Sequence, residues 1–336
     1  MDTGDRAVLA PLTGGALRRS RTVDRELVHR VSVAEVLLTD VRPCGADRFE
    51  AAACWPRSHP TFPRGRDDRH SPLVLVETLR QLGIYVPLTH YGVAPGARFL
   101  ITDLGFAVDP AAEPRAGFGA SEITCRVAVD EVRRGGSGAV RGLRMRVRFL
   151  AGEVMFGRAW GGSRFLGERE YATLRKAGAA ARGAASSAAP GGSAADGGTL
   201  PGARTGVLSG ALSGARSGGV RPAHAALDVG SPGDVVLGLE GGALVLDPAD
   251  PWHPFLFDHG SDHVPGMALI EAARQAAAVR SGGALLRPVS GELRALRFTE
   301  HAPFARVECA VYAGTGVFRF RQGGSHTAVG VLRYRR

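Results

Sequence analysis

Lysine is almost missing from this chain of 336 residues: Lys176 is the only one, so arginine carries the basic side of a net charge of +10. The arginines are dispersed among acids, and no helix-turn-helix, RNP or zinc-finger pattern accompanies them. Nucleic acid is therefore not an expected partner, whereas an acidic protein or a phosphorylated substrate suits a diffuse positive field. No segment approaches the ~20 consecutive apolar residues of a membrane span. The opening "MDTGDRAVLAPLTGGALRRS" lacks an apolar stretch behind a basic start, so a secretory signal is not expected. These absences predict a cytoplasmic protein with no membrane partner and a disordered leader over 1–21. Cys44, Cys54, Cys125 and Cys309 show neither a C-x-x-C pairing nor metal-ligand spacing, so they are read as small buried hydrophobes, not a disulfide frame or zinc site. G-x-S-x-G is absent as well, which leaves a covalent nucleophile without support.

Two long stretches repeat each other. "HPTFPRGRDDRHSPLVLVETLRQ" at 59–81 lies over "HPFLFDHGSDHVPGMALIEAARQ" at 253–275 without a gap, at a constant offset of 194. His59 matches His253 and Asp68 matches Asp262. Glu77, Arg80 and Gln81 match Glu271, Arg274 and Gln275. A polar triplet shared by two apolar helical runs points to two copies of one fold.

Between the copies, 177–222 is rich in Ala, Gly, Ser and Arg and contains no aromatic residue. Such a composition buries too little apolar surface to offset its ordering entropy and predicts a flexible linker over 171–222. The expected domains are then 22–170 and 223–336. Around each apolar helix lie candidate strands alternating at period two, among them "ASEITCRVAVDEVRR" and "GVFRFRQGG", and "RRGGSGA" supplies a hairpin turn. Each half reads as two strands, one helix, then three or four strands. An antiparallel sheet wrapped around a single long helix satisfies that order. The predicted fold class is α+β, a tandem (double) hotdog.

The chemistry concentrates at 253–275. Pro265-Gly266 suits a helix start, with free backbone N–H groups and the positive dipole end facing whatever lies there. Those donors fit a thioester carbonyl oxygen that develops negative charge. Glu271, Arg274 and Gln275 fall on one helical face, and burying them together requires partners or a ligand. One reading is a buried Glu–Arg pair that ties helix to sheet; the other is a reaction site. His259, Asp262 and His263 lie in the loop before the helix, where a histidine beside a carboxylate makes a proton-transfer pair. The same "DHGSDH" offers no helical or strand spacing that would fix a metal, so no metal and no cofactor are expected.

"DHGSDHVPGMALIEAARQAA", "ELVHRVSVAEVLLTD" and "HSPLVLVETLRQLGIYVPLTHYGV" resemble the A-factor biosynthesis (AfsA-type) hotdog family, over roughly 22–165 and 225–335. More distantly, "HVPGMALIEAARQ" is similar to the H…PG…E/D…Q pattern of β-hydroxyacyl-carrier dehydratases, which places its histidine farther from Pro-Gly than His259 stands here. The resemblance implies transfer of a β-ketoacyl group from acyl carrier protein to the hydroxyl of dihydroxyacetone phosphate. Cyclisation and reduction toward a γ-butyrolactone that controls secondary metabolism would follow. On that reading Glu271 or Glu77 is the general base, and His259 and His263, with Asp262, move the proton to the leaving thiolate. Amides near Gly266 hold the thioester oxygen. Arg274, Arg80, Gln275, Gln81 and His70 face the substrate. The first copy has "HSPL" where the second has "VPGM", so the C-terminal loop and helix are expected to be the better equipped. A dehydratase or thioesterase on the same fold, or a regulator that binds an acyl thioester or butyrolactone without turnover, are the alternatives. The chain is expected to act as a monomeric double hotdog or a homodimer of it.

Overall fold

The computed structural model describes residues 16–57, 59, 61–62, 68–187, 220–258 and 260–335. Each half opens with a short 3-10 turn, Arg25–Val28 or His224–Leu227, followed by a strand pair. In the first half these are β1 (Leu38–Gly45) and β2 (Arg48–Trp55); then come helix α1 (Pro72–His90) and strands β3 (Arg98–Val108), β4 (Ser121–Arg134), β5 (Val140–Ala151) and β6 (Val154–Leu166). Helix α2 (Glu168–Ser187) follows. The second half contains β7 (Leu237–Glu240), β8 (Ala243–Leu246), α3 (Gly266–Arg280), β9 (Pro288–Ala295), β10 (Arg306–Tyr312), β11 (Thr315–Gln322) and β12 (Ser325–Tyr334).

Alternation decides which way each strand faces. Along β11, Phe318 and Phe320 are buried while Arg319 and Arg321 are exposed, the period-two pattern of a sheet with one solvated face. The 12 strands of the described residues join one antiparallel sheet in the order β1-β2-β4-β5-β6-β3-β9-β12-β11-β10-β8-β7. Read outward from its centre, both halves give the same succession, so the sheet has a pseudo-twofold relation about the β3–β9 seam. This is a double hotdog: each half-sheet curls around its own helix. Leu104 faces Leu293 across the seam and Asp103 faces Arg294. Gly291 sits opposite Phe106 there; a Cβ on it would come within 2.7 Å of the Phe106 ring and 2.5 Å of Leu332, so glycine is what lets the halves close.

The helices are buried nearly all round because sheet surrounds them. Their starts differ. Pro72 opens α1 and the Ser71 hydroxyl accepts from the Leu73 N–H at 3.3 Å, an ordinary side-chain cap. At α3 the capping position is Pro265, and no side chain among the described residues caps the first turn.

Two expected boundaries move. The segment 171–187, assigned to a linker, is helical and belongs to α2. Alanine-rich sequence reads as low complexity but also has the highest helix propensity, and docking of 168–175 decides the outcome: Arg98 pairs with Glu168 at 2.9 Å and Arg141 with Glu170 at 2.6 Å. Residues 16–21, assigned to the leader, lie against the sheet, with the Arg18 N–H donating to Asp40 and Arg19 to the Thr124 hydroxyl at 2.8 Å. The remainder of the expected linker, 188–219, and residues 1–15 lie outside the described residues. No helix among the described residues is long and apolar enough to cross a membrane.

Candidate active site

The polar triplet of each helix ties that helix to the strands around it. In α1, Glu77 is fully buried and receives Arg80 through Nε at 2.8 Å and Nη2 at 2.9 Å. Arg30 reaches the same carboxylate at 2.8 Å, and the Gln81 amide donates to it at 2.7 Å. Gln81 also spans to the β1 approach: its Nε2 donates to the Glu35 carbonyl, and its Oε1 accepts from the Leu37 N–H at 2.9 Å. In α3, Arg274 donates to Glu271 at 2.8 and 2.6 Å and to the carbonyls of Leu227 and Leu286. Gln275 bridges the Asp234 carbonyl and the Val236 N–H. His59 and His253 complete the parallel, each holding an acid, Glu35 or Asp234, through Nε2 and accepting two backbone N–H groups at Nδ1.

These networks satisfy the charges that burial would otherwise penalise. Burial alone would push the Glu77 carboxyl upward; the Arg30 and Arg80 guanidiniums outweigh it and hold the group below the ordinary carboxylate range. A carboxylate so occupied is poorly placed to accept a substrate proton.

The substantial opening lies elsewhere. A cavity of about 450 Å³ runs beneath the β3–β9 seam, between α1 and the start of α3. Its walls include Val76, Leu79, Phe99, Met145, Leu269 and Leu293, an apolar lining of the kind that takes a small ligand's hydrocarbon part. Among the described residues that line it, neither Glu77 nor Glu271 appears; Glu271 reaches only a recess of about 30 Å³ that it shares with Arg274. Arg80 does reach the cavity wall, as do Pro265, Gly266 and Met267. The uncapped, positive end of α3 therefore faces the opening. Gly266 eases that approach, since a Cβ there would lie 3.0 Å from the Ile101 methyl end and would require it to shift.

At the same place stands a hydrogen-bonded cluster. His263 lines the cavity, and its Nδ1 is 2.9 Å from Asp262 Oδ1. The Tyr171 hydroxyl, from α2, donates to that same oxygen at 2.5 Å and lies 3.3 Å from His263 Nδ1. Arg175 spans from Asp262 at 3.2 Å to Glu300 at 2.8 Å, and the Phe298 ring packs edge-on against His263. Burial pulls His263 below its usual range, partly countered by the Asp262 carboxylate. For Asp262, burial is overcome by the hydrogen bonds from Tyr171 and His263 and by the Arg175 charge, so it is held in the ionised form. A neutral imidazole fixed by an ionised carboxylate is equipped to accept a proton.

The expected site residues therefore divide. His263, Asp262, Gly266 and Arg80 meet at or beside the cavity. Glu77, Glu271, Gln81, Gln275 and Arg274 do not; they hold helices to strands. His70 is buried with Nε2 2.8 Å from the Ser121 hydroxyl and is not among the cavity-lining residues described. His259 lies outside the described residues. Sequence reasoning missed Tyr171 and Arg175, whose only local signal is their position at the edge of a low-complexity segment. It also missed Arg30, which joins Glu77 across 47 residues.

The pseudo-twofold relation supplies an internal comparison. His29 and Asp228 each end a 3-10 turn in the left-handed conformation, at φ of 50° and 53°. His29 borders the large cavity and Asp228 the small recess. At the start of α1, Arg287 donates to the His70 carbonyl and to Glu113. The chain's own arginine thus fills the place that stays open at α3.

The model of the A-factor biosynthesis hotdog domain matches residues 14–166 and 244–286. A protein of Streptomyces virginiae named 2-oxo-3-(phosphooxy)propyl 3-oxoalkanoate synthase is 35% identical over 266 residues, 76% of this chain and 76% of that one. A protein of the same name from Streptomyces coelicolor is 31% identical over 87% of this chain and 83% of that one. One from Streptomyces griseus is 28% identical over 82% and 81%. With its helix pair, repeated triplet and family match all in register, the chain belongs to the A-factor biosynthesis hotdog family.

Proposed function

We propose that this protein makes the ester for which its relatives are named. It would transfer a 3-oxoacyl (β-ketoacyl) group from an acyl carrier protein thioester to the hydroxyl of dihydroxyacetone phosphate, an early step toward a γ-butyrolactone signal. The observation that carries this reading is the meeting of three things at one opening: the Asp262–His263 pair, the uncapped start of α3, and an apolar cavity of about 450 Å³.

In the proposed reaction His263 Nε2 accepts the proton of the acceptor hydroxyl as its oxygen attacks the thioester carbonyl carbon. Nδ1 is engaged by Asp262 and Tyr171, which fixes the tautomer that leaves Nε2 for this task. The oxyanion of the tetrahedral intermediate is held by backbone N–H groups of the first turn of α3, at Gly266 and Met267. The carbon–sulfur bond then breaks, and the thiolate takes the proton from His263. Arg164 and Arg297 border the cavity from its exposed side and suit the acceptor phosphate. The repeated triplets keep α1 and α3 in place while this happens. A first half that runs through α2 and a second from 223 fit the same picture, with α1 and α3 each bordering a shared site.

Incubation of the protein with a 3-oxoacyl carrier thioester, with either dihydroxyacetone phosphate or dihydroxyacetone as acceptor, tests the assignment. The phosphorylated acceptor is expected to give the ester and the unphosphorylated one far less. Release of the free 3-oxo acid regardless of acceptor would instead identify a thioesterase.

A further inference from the structure

The helix face that α1 turns to the cavity consists of Val76, Leu79, Arg80, Gly83 and Ile84, spaced i, i+3, i+4, i+7 and i+8. Gly83 lies inside a helix of 19 residues. A glycine there destabilises the helix relative to alanine, and its backbone is ordinary helix, so no turn requires it. A Cβ built on Gly83 meets no heavy atom within 4 Å.

The second copy shows what the position looks like when it packs. At the offset of 194, Gly83 corresponds to Ala277, which is fully buried and lies 3.3 Å from the place a Cβ on Gly316 would occupy. In α3 the side chain meets the sheet, while in α1 the same position opens onto empty space in an apolar cavity.

We propose that Gly83 sets the longest acyl chain the protein accepts, by leaving room for the distal methylenes of the 3-oxoacyl group to pass α1. The inference rests on the acyl-transfer reading. Any side chain at 83 would project from the Leu79 face of the helix into the space the chain uses. Each methylene displaced from an apolar wall is expected to lower kcat/KM about fourfold.

The test uses the full chain with Gly83→Ala and Gly83→Leu, assayed with dihydroxyacetone phosphate and straight-chain 3-oxoacyl thioesters of increasing length. Gly83→Leu is expected to lose tenfold or more, on the order of several methylenes' burial, with the longest chains. Its ratio of kcat/KM for the shortest chains over the longest is expected to rise at least about tenfold above that of wild type. Gly83→Ala is expected to shift the profile the same way by about one methylene and to raise the melting temperature, because alanine favours the helix. An unchanged length profile in both folded variants overturns the proposal. Displacement of a fluorescent fatty-acyl probe by fatty acids of graded length gives a second readout. If wild type makes no ester but the variants still bind only shorter chains, the acyl-transfer reading fails while the role of Gly83 stands. If binding is equally insensitive to chain length in wild type and variants, Gly83 has no such role.

Discussion

The Tyr171 hydroxyl and the Asp262 carboxylate lie 2.5 Å apart, on a helix and a loop that the sequence separates by 91 residues. Asp262 is also the partner of His263, so Tyr171 bears on the position of the imidazole, while Leu174 of the same helix lines the cavity. Arg98 stacks over the Tyr171 ring and pairs with Glu168, Arg175 pairs with Glu300, and His301 bonds to the Ser261 carbonyl. The pair is thus set among two arginines, two glutamates and a second histidine.

Tyr171→Phe removes a donor from Asp262 and leaves more of its charge to act on His263. The imidazole of the wild type titrates below 6.5 because it is buried, and only its neutral form accepts a proton. The acidic limb of the kcat/KM profile is therefore expected below pH 6.5 in the wild type and at higher pH in the variant. The rate on the plateau should fall about tenfold, the scale of one lost positioning hydrogen bond. A pH–rate profile for both proteins checks the shift; an identical acidic limb would separate Tyr171 from the reaction.

Glu77→Gln should act on stability. Neutralising a fully buried carboxylate leaves the Arg80 guanidinium without its counter-charge and Arg30 with Asp258 alone, at a cost of about 3–5 kcal/mol, read from urea denaturation. Glu271→Gln should cost less, because Glu271 holds Arg274 alone among the arginines described. The pH dependence has a definite sign. Glu77 has a folded pKa below its unfolded value of 4.5, so its contribution is fully present above pH 4.5 and lost as pH falls through the lower folded value. The stability gap between wild type and Glu77→Gln should therefore narrow only under acid.

Much of this was legible in the sequence, and the reasons differ by feature. The strand–strand–helix–strand order follows from period-two alternation around two apolar helical runs, and the constant offset of 194 exposes the duplication. His263 beside Asp262 is visible because the residues are adjacent. The role of Glu77 was not visible: a carboxylate within an apolar helix looks the same whether it meets substrate or Arg30, and Arg30 arrives from outside the repeated stretch. Composition likewise could not separate α2 from a linker, since alanine favours both descriptions until Tyr171 and Arg175 find their partners.

The pseudo-twofold relation predicts a stoichiometry. Calorimetric titration with a non-hydrolysable 3-oxoacyl thioether should give one bound molecule per chain, because Arg287 and Glu113 fill the α1 counterpart of the α3 opening. Two molecules per chain would mean that the recess of about 30 Å³ opens to ligand.

The most direct test sets wild type and His263→Gln side by side with a 3-oxoacyl carrier thioester and dihydroxyacetone phosphate, and reads the products by mass spectrometry. Wild type is expected to form the phosphorylated ester. The variant, still folded because His263 is partly exposed, is expected to form it at least about 100-fold more slowly. Undiminished ester from the variant, or free 3-oxo acid as the sole product of the wild type, would contradict the assignment.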